Sequence, residues 1–175
     1  MEKVMDIFGR ENRNFHLILL EEKEGEQKLF VKQTSDLFVN GEKVSIKDDL
    51  LNREVPMDKS LSGKVIKEKK CLVIHDIQEN VKLSKGDNQK QPFFQYKEKK
   101  EIRSEIAFPL SIKEGEKEKV IGTLVIDSVK SHDFQDMDKE FVETIAQYLA
   151  ISIHNQQLFD ERARSQDKIS QLERR

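Results

Sequence analysis

The side chains best suited to metal binding, proton transfer near neutrality or nucleophilic attack are few: His16, His75, His132, His154 and a single cysteine, Cys71. The histidines are scattered, without the His/Cys spacing of a zinc site, so no metal is expected. One cysteine cannot close an internal disulfide, and a lone thiol reads first as a small buried apolar group in a reducing compartment. Thiol redox catalysis needs a second thiol to resolve the sulfenic intermediate. The chain has no Gly-x-Ser-x-Gly elbow, phosphate-binding loop or Gly-rich dinucleotide fingerprint. These residues predict a protein that is not an enzyme.

Positioning such side chains requires a fold, and composition supports one. Of 175 residues, 36% are hydrophobic and 37% charged, with a formal net charge of −2. The apolar residues cluster periodically, as a disordered segment's do not. The length suits one domain with a helical extension. Lys97–Glu101 and Glu114–Lys119 mix both signs, the pattern of a solvated surface, so nucleic acid is not an expected partner. The opening MEKVMDIFGRENR is too charged for a signal peptide, and no apolar run nears the roughly 18 residues of a membrane helix. A cytoplasmic location without membrane contact by this segment is expected.

Val4, Ile7 and Phe8 predict a short helix within residues 1–13. Phe15–Leu20 and Leu29–Val31 predict two strands joined by a charged loop longer than two residues. Leu37–Val39 and Val44–Ile46 flank Asn40-Gly41, a tight-turn pair. Ser60 is placed to cap a helix carrying Leu61, Val65 and Ile66, and Gly63 inside it predicts a close approach, which we expect to be to the sheet. Cys71–Ile77 reads as a strand, followed by a polar insert over 78–103. Ile106, Phe108, Leu110 and Ile112 alternate in a strand where Pro109 favours an edge or a bulge. Val120–Ile126, apolar on both faces, predicts a central strand. From Thr123 onward there is neither Gly nor Pro, and Val142, Ile145, Ala146, Leu149 and Ile153 mark a long amphipathic helix, with Asp136 a plausible cap.

This order, with SLSGKVIKEKKCLVIHDI, EIAFPLSI, VIGTLVID and FQDMDKEFVETIAQYLAISIHN, resembles a GAF domain over roughly Asn14 to Phe159. The resemblance implies an α+β fold, a GAF/PAS-like antiparallel sheet of about five or six strands flanked by helices, with a long C-terminal helix. It divides the chain into an N-terminal helix or linker (1–13), the GAF domain (14–157) and a helical, coiled-coil extension (158–175) leading to a covalently linked output domain outside this sequence. It implies a sensor in which the insert roofs a small-molecule pocket. His75, Asp76, Ile77, Phe93, Phe94, Tyr96, Ser104, Ile106, Phe108 and Thr123 are its candidate lining, and the aromatic rings suit either stacking on a planar ligand or filling the core.

The family's cyclic-nucleotide binders carry Asn-Lys where this chain has Asp127-Ser128, and the Lys partner of the later Asp is missing, which disfavours that ligand; the cofactor is unknown. Phe134 and Asp138 are read as a plug and a first-turn carboxylate. Cys71 has no adjacent His, as a bilin site would require. Ile151, Leu158, Phe159, Ile169 and Leu172 are expected to pair two copies and carry the signal. The alternatives are a GAF dimerisation module that binds no ligand and, third, an enzyme resembling the free methionine sulfoxide reductases.

Overall fold

The computed structural model describes residues 12–39, 42–44, 50–77, 102–134 and 139–173. The expected N-terminal helix, the Asn40-Gly41 turn, Asp136 and Asp138, and most of the 78–103 insert lie outside them. Eight strands and two helices lie wholly among the described residues: β1 Arg13–Lys23, β2 Glu26–Thr34, β3 Leu37–Val39, β4 Glu42–Val44, β5 Glu54–Val55, α1 Leu61–Glu68, β6 Leu72–Ile74, β7 Ser104–Glu114, β8 Lys117–Ser128 and α2 Lys139–Glu173. Six strands form one sheet in the order β5-β2-β1-β8-β7-β6, with β3 and β4 as a separate hairpin. All the pairings are antiparallel.

The first hairpin is tighter than its sequence suggests. Lys23 pairs with Glu26, so the charged residues belong to the strands and only Glu24 and Gly25 turn. Both have positive φ, 57° and 81°, as a type I′ turn requires. β7 and β8 also close through a two-residue turn, with Glu114 opposite Lys117, but there only Gly115 has positive φ, 65°. Pro109 tolerates its strand because β6 pairs only with Glu105–Ala107. Its missing donor therefore falls beyond that neighbour, just before an irregularity at Leu110/Ser111.

β8 is the central strand, buried without interruption from Val120 to Ser128. Its period-two alternation divides the core. Leu124 and Ile126, with Phe15, Leu17, Ile106 and Phe108, pack beneath α2 against Val142, Ala146, Ala150 and Ile153. Phe134 is wholly buried in that cluster, as a plug before the helix should be. On the other face Val125 joins Ile18, Val31, Ala107, Leu61 and Val65 beneath α1. No helix among the described residues is long and apolar enough to cross a membrane.

Ser60 caps α1 as expected, its Oγ accepting from the Gly63 N–H at 3.1 Å, and Lys69 ends the helix in the left-handed region. Gly63 does mark a close approach, but to the preceding segment and not to the sheet: a Cβ there would lie 1.8 Å from the Met57 carbonyl oxygen. In an open helix Gly→Ala stabilises by about 1 kcal/mol. Here the sign reverses, and Gly63→Ala is expected to destabilise by about 1–3 kcal/mol, read as a lower urea midpoint. An unchanged or raised midpoint would contradict this packing.

Candidate functional site

Strand alternation and register bring polar side chains together on the α1 face. Asn14 stands opposite Asp127 and His16 opposite Val125 across β1 and β8, so Asn14, His16 and Asp127 share one face. His16 Nε2 lies 2.9 Å from Asp127 Oδ2 and 3.1 Å from Asn14 Nδ2. Its Nδ1 lies 2.8 Å from Thr34 Oγ1. The Thr34 hydroxyl also reaches the Ser35 carbonyl at 3.2 Å. Asn14 Oδ1 is buried with no hydrogen-bond partner among the described residues.

Two members of this network, His16 and Asp127, line a cleft of about 470 Å³, its open mouth included. Ser60, Ser62, Glu105 and Asp127 supply further polar lining, and Ile18, Val31, Leu50, Ile102 and Val125 the apolar lining. Ser62 Oγ accepts from Thr123 Oγ1 at 3.0 Å, which ties α1 to the central strand. Burial, and secondarily the charge of Asp127, push the Glu105 carboxyl well above the ordinary carboxylate range. Two carboxylates thus share a partly dry cleft. No group of three or more His, Cys, Asp or Glu side chains among the described residues could hold a metal ion.

The expected lining residues are distributed differently. Ile106 and Phe108 point into the cluster beneath α2, on the opposite face of the sheet from the cleft. Their neighbours Glu105 and Ala107 take the α1 face, because successive residues of a strand alternate sides. His75 stacks on His132, with ring centroids 5.7 Å apart and planes 12° from parallel. Asp76 is buried in an ion pair with Arg103, and Ile77 N–H donates to the Arg103 carbonyl. Ser104 donates to the Lys130 carbonyl. These four brace the sheet end and are not among the cleft's lining residues. Thr123 acts one step back, through Ser62. Phe93, Phe94 and Tyr96 lie outside the described residues. His16, Asp127, Glu105, Ser60 and Ser62 were not expected as site residues; the period-two alternation about Ile18 and Ala107 was the signal for two of them, His16 and Glu105.

The model of the GAF domain family matches residues 3–154. The chain belongs to the GAF domain family. No curated protein matches it. Among solved structures it is similar to the GAF domain of an Acinetobacter phosphoenolpyruvate-protein phosphotransferase (TM-score 0.62, 15% identity, 88% of this chain and 77% of the other). It is similar also to the GAF domain of a Bacillus halodurans sensor histidine kinase (TM-score 0.55, 18% identity, 91% and 92%). A third similarity is to the type II free methionine-R-sulfoxide reductase of Thermoplasma acidophilum (TM-score 0.57, 19% identity, 88% and 86%). The GAF fold thus serves both sensory and enzymatic proteins, and at these identities the likeness is one of fold.

The raised Glu105 carboxyl has a consequence for stability. The unfolded chain ionises it near 4.5 and the folded GAF domain ionises it higher, so between those values the folded state binds more protons. Its contribution is therefore fully present below the unfolded value and is lost as pH rises through the folded one. Glu105→Gln is expected to raise Tm at pH 8 and to leave it unchanged at pH 4. A gain of equal size at both pH values would contradict the assignment.

Proposed function

We propose that this GAF domain is the regulatory module of a signalling protein, binding a small molecule with a cationic group on an apolar body. Its occupancy is passed to α2 and, through a pair of such helices, to a covalently linked output domain. One observation supports the reading: Glu105 and Asp127 face a single cleft, and the rest of its described lining is largely aliphatic. A cation entering there would relieve the cost of ionising Glu105. Binding would then release a proton and strengthen as pH rises.

The route to α2 has structural support. Asp127 and Val125 line the cleft and Thr123 bonds Ser62 of α1, while Ile126 and Leu124 of the same strand pack beneath α2. A shift of β8 on one face is therefore a shift in the bed of α2 on the other.

The regulatory reading is favoured over a catalytic one by the thiol. Cys71 packs against the cluster beneath α2, and burial, with the Glu143 carboxylate adding to it, pushes its thiol up to about 11. The thiolate that sulfur redox chemistry uses is scarce at such a value. Reduction of free methionine sulfoxide with thioredoxin, lost in Cys71→Ser, would replace this reading with the enzymatic one. The expected result is no turnover, with alkylation of Cys71 slow at pH 7.5 and accelerating toward pH 11.

The ligand class is tested by thermal shift against matched panels of small aliphatic amines, neutral analogues and carboxylates. Amines are expected to stabilise the protein, more at pH 8 than at pH 6, with the effect weakened in Glu105→Gln. Stabilisation by carboxylates alone would overturn the ligand class, and no hit from any panel would favour a domain that only dimerises.

A further inference from the structure

One end of the cleft is as rich in hydrogen-bond donors as the other is in carboxyls. Ser60, Leu61 and Ser62, at the start of α1, all line it, and the two serines are 4% and 2% exposed. Ser60 Oγ accepts from the Gly63 N–H, which leaves its own hydroxyl proton with no acceptor among the described residues. Ser62 and Thr123 share one hydrogen bond; two hydroxyls bring two protons, so this pair also keeps a spare donor. The backbone N–H groups of Leu61 and Ser62, the first two of α1, find no acceptor among the described residues either, as the geometry of a helix start dictates. A buried donor without an acceptor is costly, and here several gather at one end of one cleft.

We propose that this end binds a carboxylate, so that the cleft takes an extended zwitterion: an unbranched ω-amino acid with its ammonium at Glu105 and Asp127 and its carboxylate at Ser60 and the first turn of α1. The positive end of a helix favours an anion, and the Ser60 hydroxyl adds a buried donor that the helix cap does not use. The inference deepens the cation-binding reading and rests on it.

Strand register sets the length of the ligand. Glu105 stands opposite Asp127 across β7 and β8, so the two carboxyls sit at one level of the sheet. Ser62 is held at the level of Thr123, which lies on the same face of β8 as Asp127, with no register shift between them. From Thr123 to Asp127 the strand rises about 13 Å. A hydrogen bond of about 2.8 Å at each end leaves roughly 7–8 Å between the two charged groups of the ligand. That is the reach of about two extended residues, or about six single bonds, the length of 6-aminohexanoate. An α-amino acid, whose charges flank a single carbon, reaches one end only. The walls along this span include Ile18, Val31 and Val125, side chains that bury an aliphatic chain well and offer a peptide amide no partner.

The test is isothermal titration calorimetry of the full chain at pH 8 with the unbranched ω-amino acids from glycine to 8-aminooctanoate, beside hexylamine, hexanoate and the dipeptide Ala-Ala. Affinity is expected to peak at 6-aminohexanoate, about tenfold tighter than hexylamine because hydrogen bonds to a second charged group are added, with glycine weaker than hexylamine. Ser60→Asp keeps a good helix cap while replacing the hydroxyl donor with a carboxylate. It is expected to bind hexylamine at least as tightly as the unmodified chain does and to lose the preference for 6-aminohexanoate. The length series is read on the unmodified chain and so decides the matter even where the variant folds poorly. A response that is flat with chain length, a peak at glycine, tighter binding of Ala-Ala than of 6-aminohexanoate, or a preference that survives in a folded Ser60→Asp would each overturn the proposal. Hexylamine binding in any of these cases leaves the cation reading standing; no binding by hexylamine or by any zwitterion overturns both.

Discussion

β8 lies between β1 and β7, and everything from Val120 to Ser128 is buried. A strand covered on both faces cannot assign one face to water, so every side chain on it must be matched by whatever packs above or below. Beneath α2 the match is wholly apolar. Toward α1 it is mixed, because Thr123 and Asp127 alternate with Val125 and each polar group needs a buried partner. Ser62 and His16 are those partners. The polar lining of the cleft thus follows from the composition of a strand that has no solvent-facing side.

That constraint also explains why the sheet ends are so heavily tied. Arg103 donates its backbone N–H to the Ser128 carbonyl, and its own carbonyl accepts from Ile77. Its guanidinium holds Asp76, while His132 N–H reaches the His75 carbonyl. Arg13 pairs with Asp133 at the start of the turn that carries Phe134 into the core. These contacts hold the last residues of β8 in register, and register is what keeps Asp127 beside His16. A slip of one residue would exchange the faces, putting Asp127 under α2 and Ile126 in the cleft.

How much of this was legible depends on the range of each signal. Local signals were sound: the Ser60 cap, the double-sided burial of β8, the amphipathic run of α2 and the plug role of Phe134 all follow from short stretches of sequence. Hairpin loops were read too long because Glu and Lys are poor strand formers, yet pairing carried β1 and β2 through them to Glu24-Gly25. The site was less legible because it is non-local. His16 and Asp127 are 111 residues apart, and their meeting depends on a β1–β8 register that no local pattern encodes. The β7 alternation was recognised at Ile106 and Phe108 but not the face it served, so the cleft-facing Glu105 was passed over.

The central claim is that the cleft between the sheet and α1 receives a cation. The most direct measurement is a crystal structure of the full chain grown with whichever amine stabilises it most. The ammonium nitrogen is expected within hydrogen-bond distance of both Glu105 and Asp127, with the apolar body against Ile18, Val31 and Val125. An amine bound elsewhere, or a cleft filled by the protein's own side chains, would contradict it.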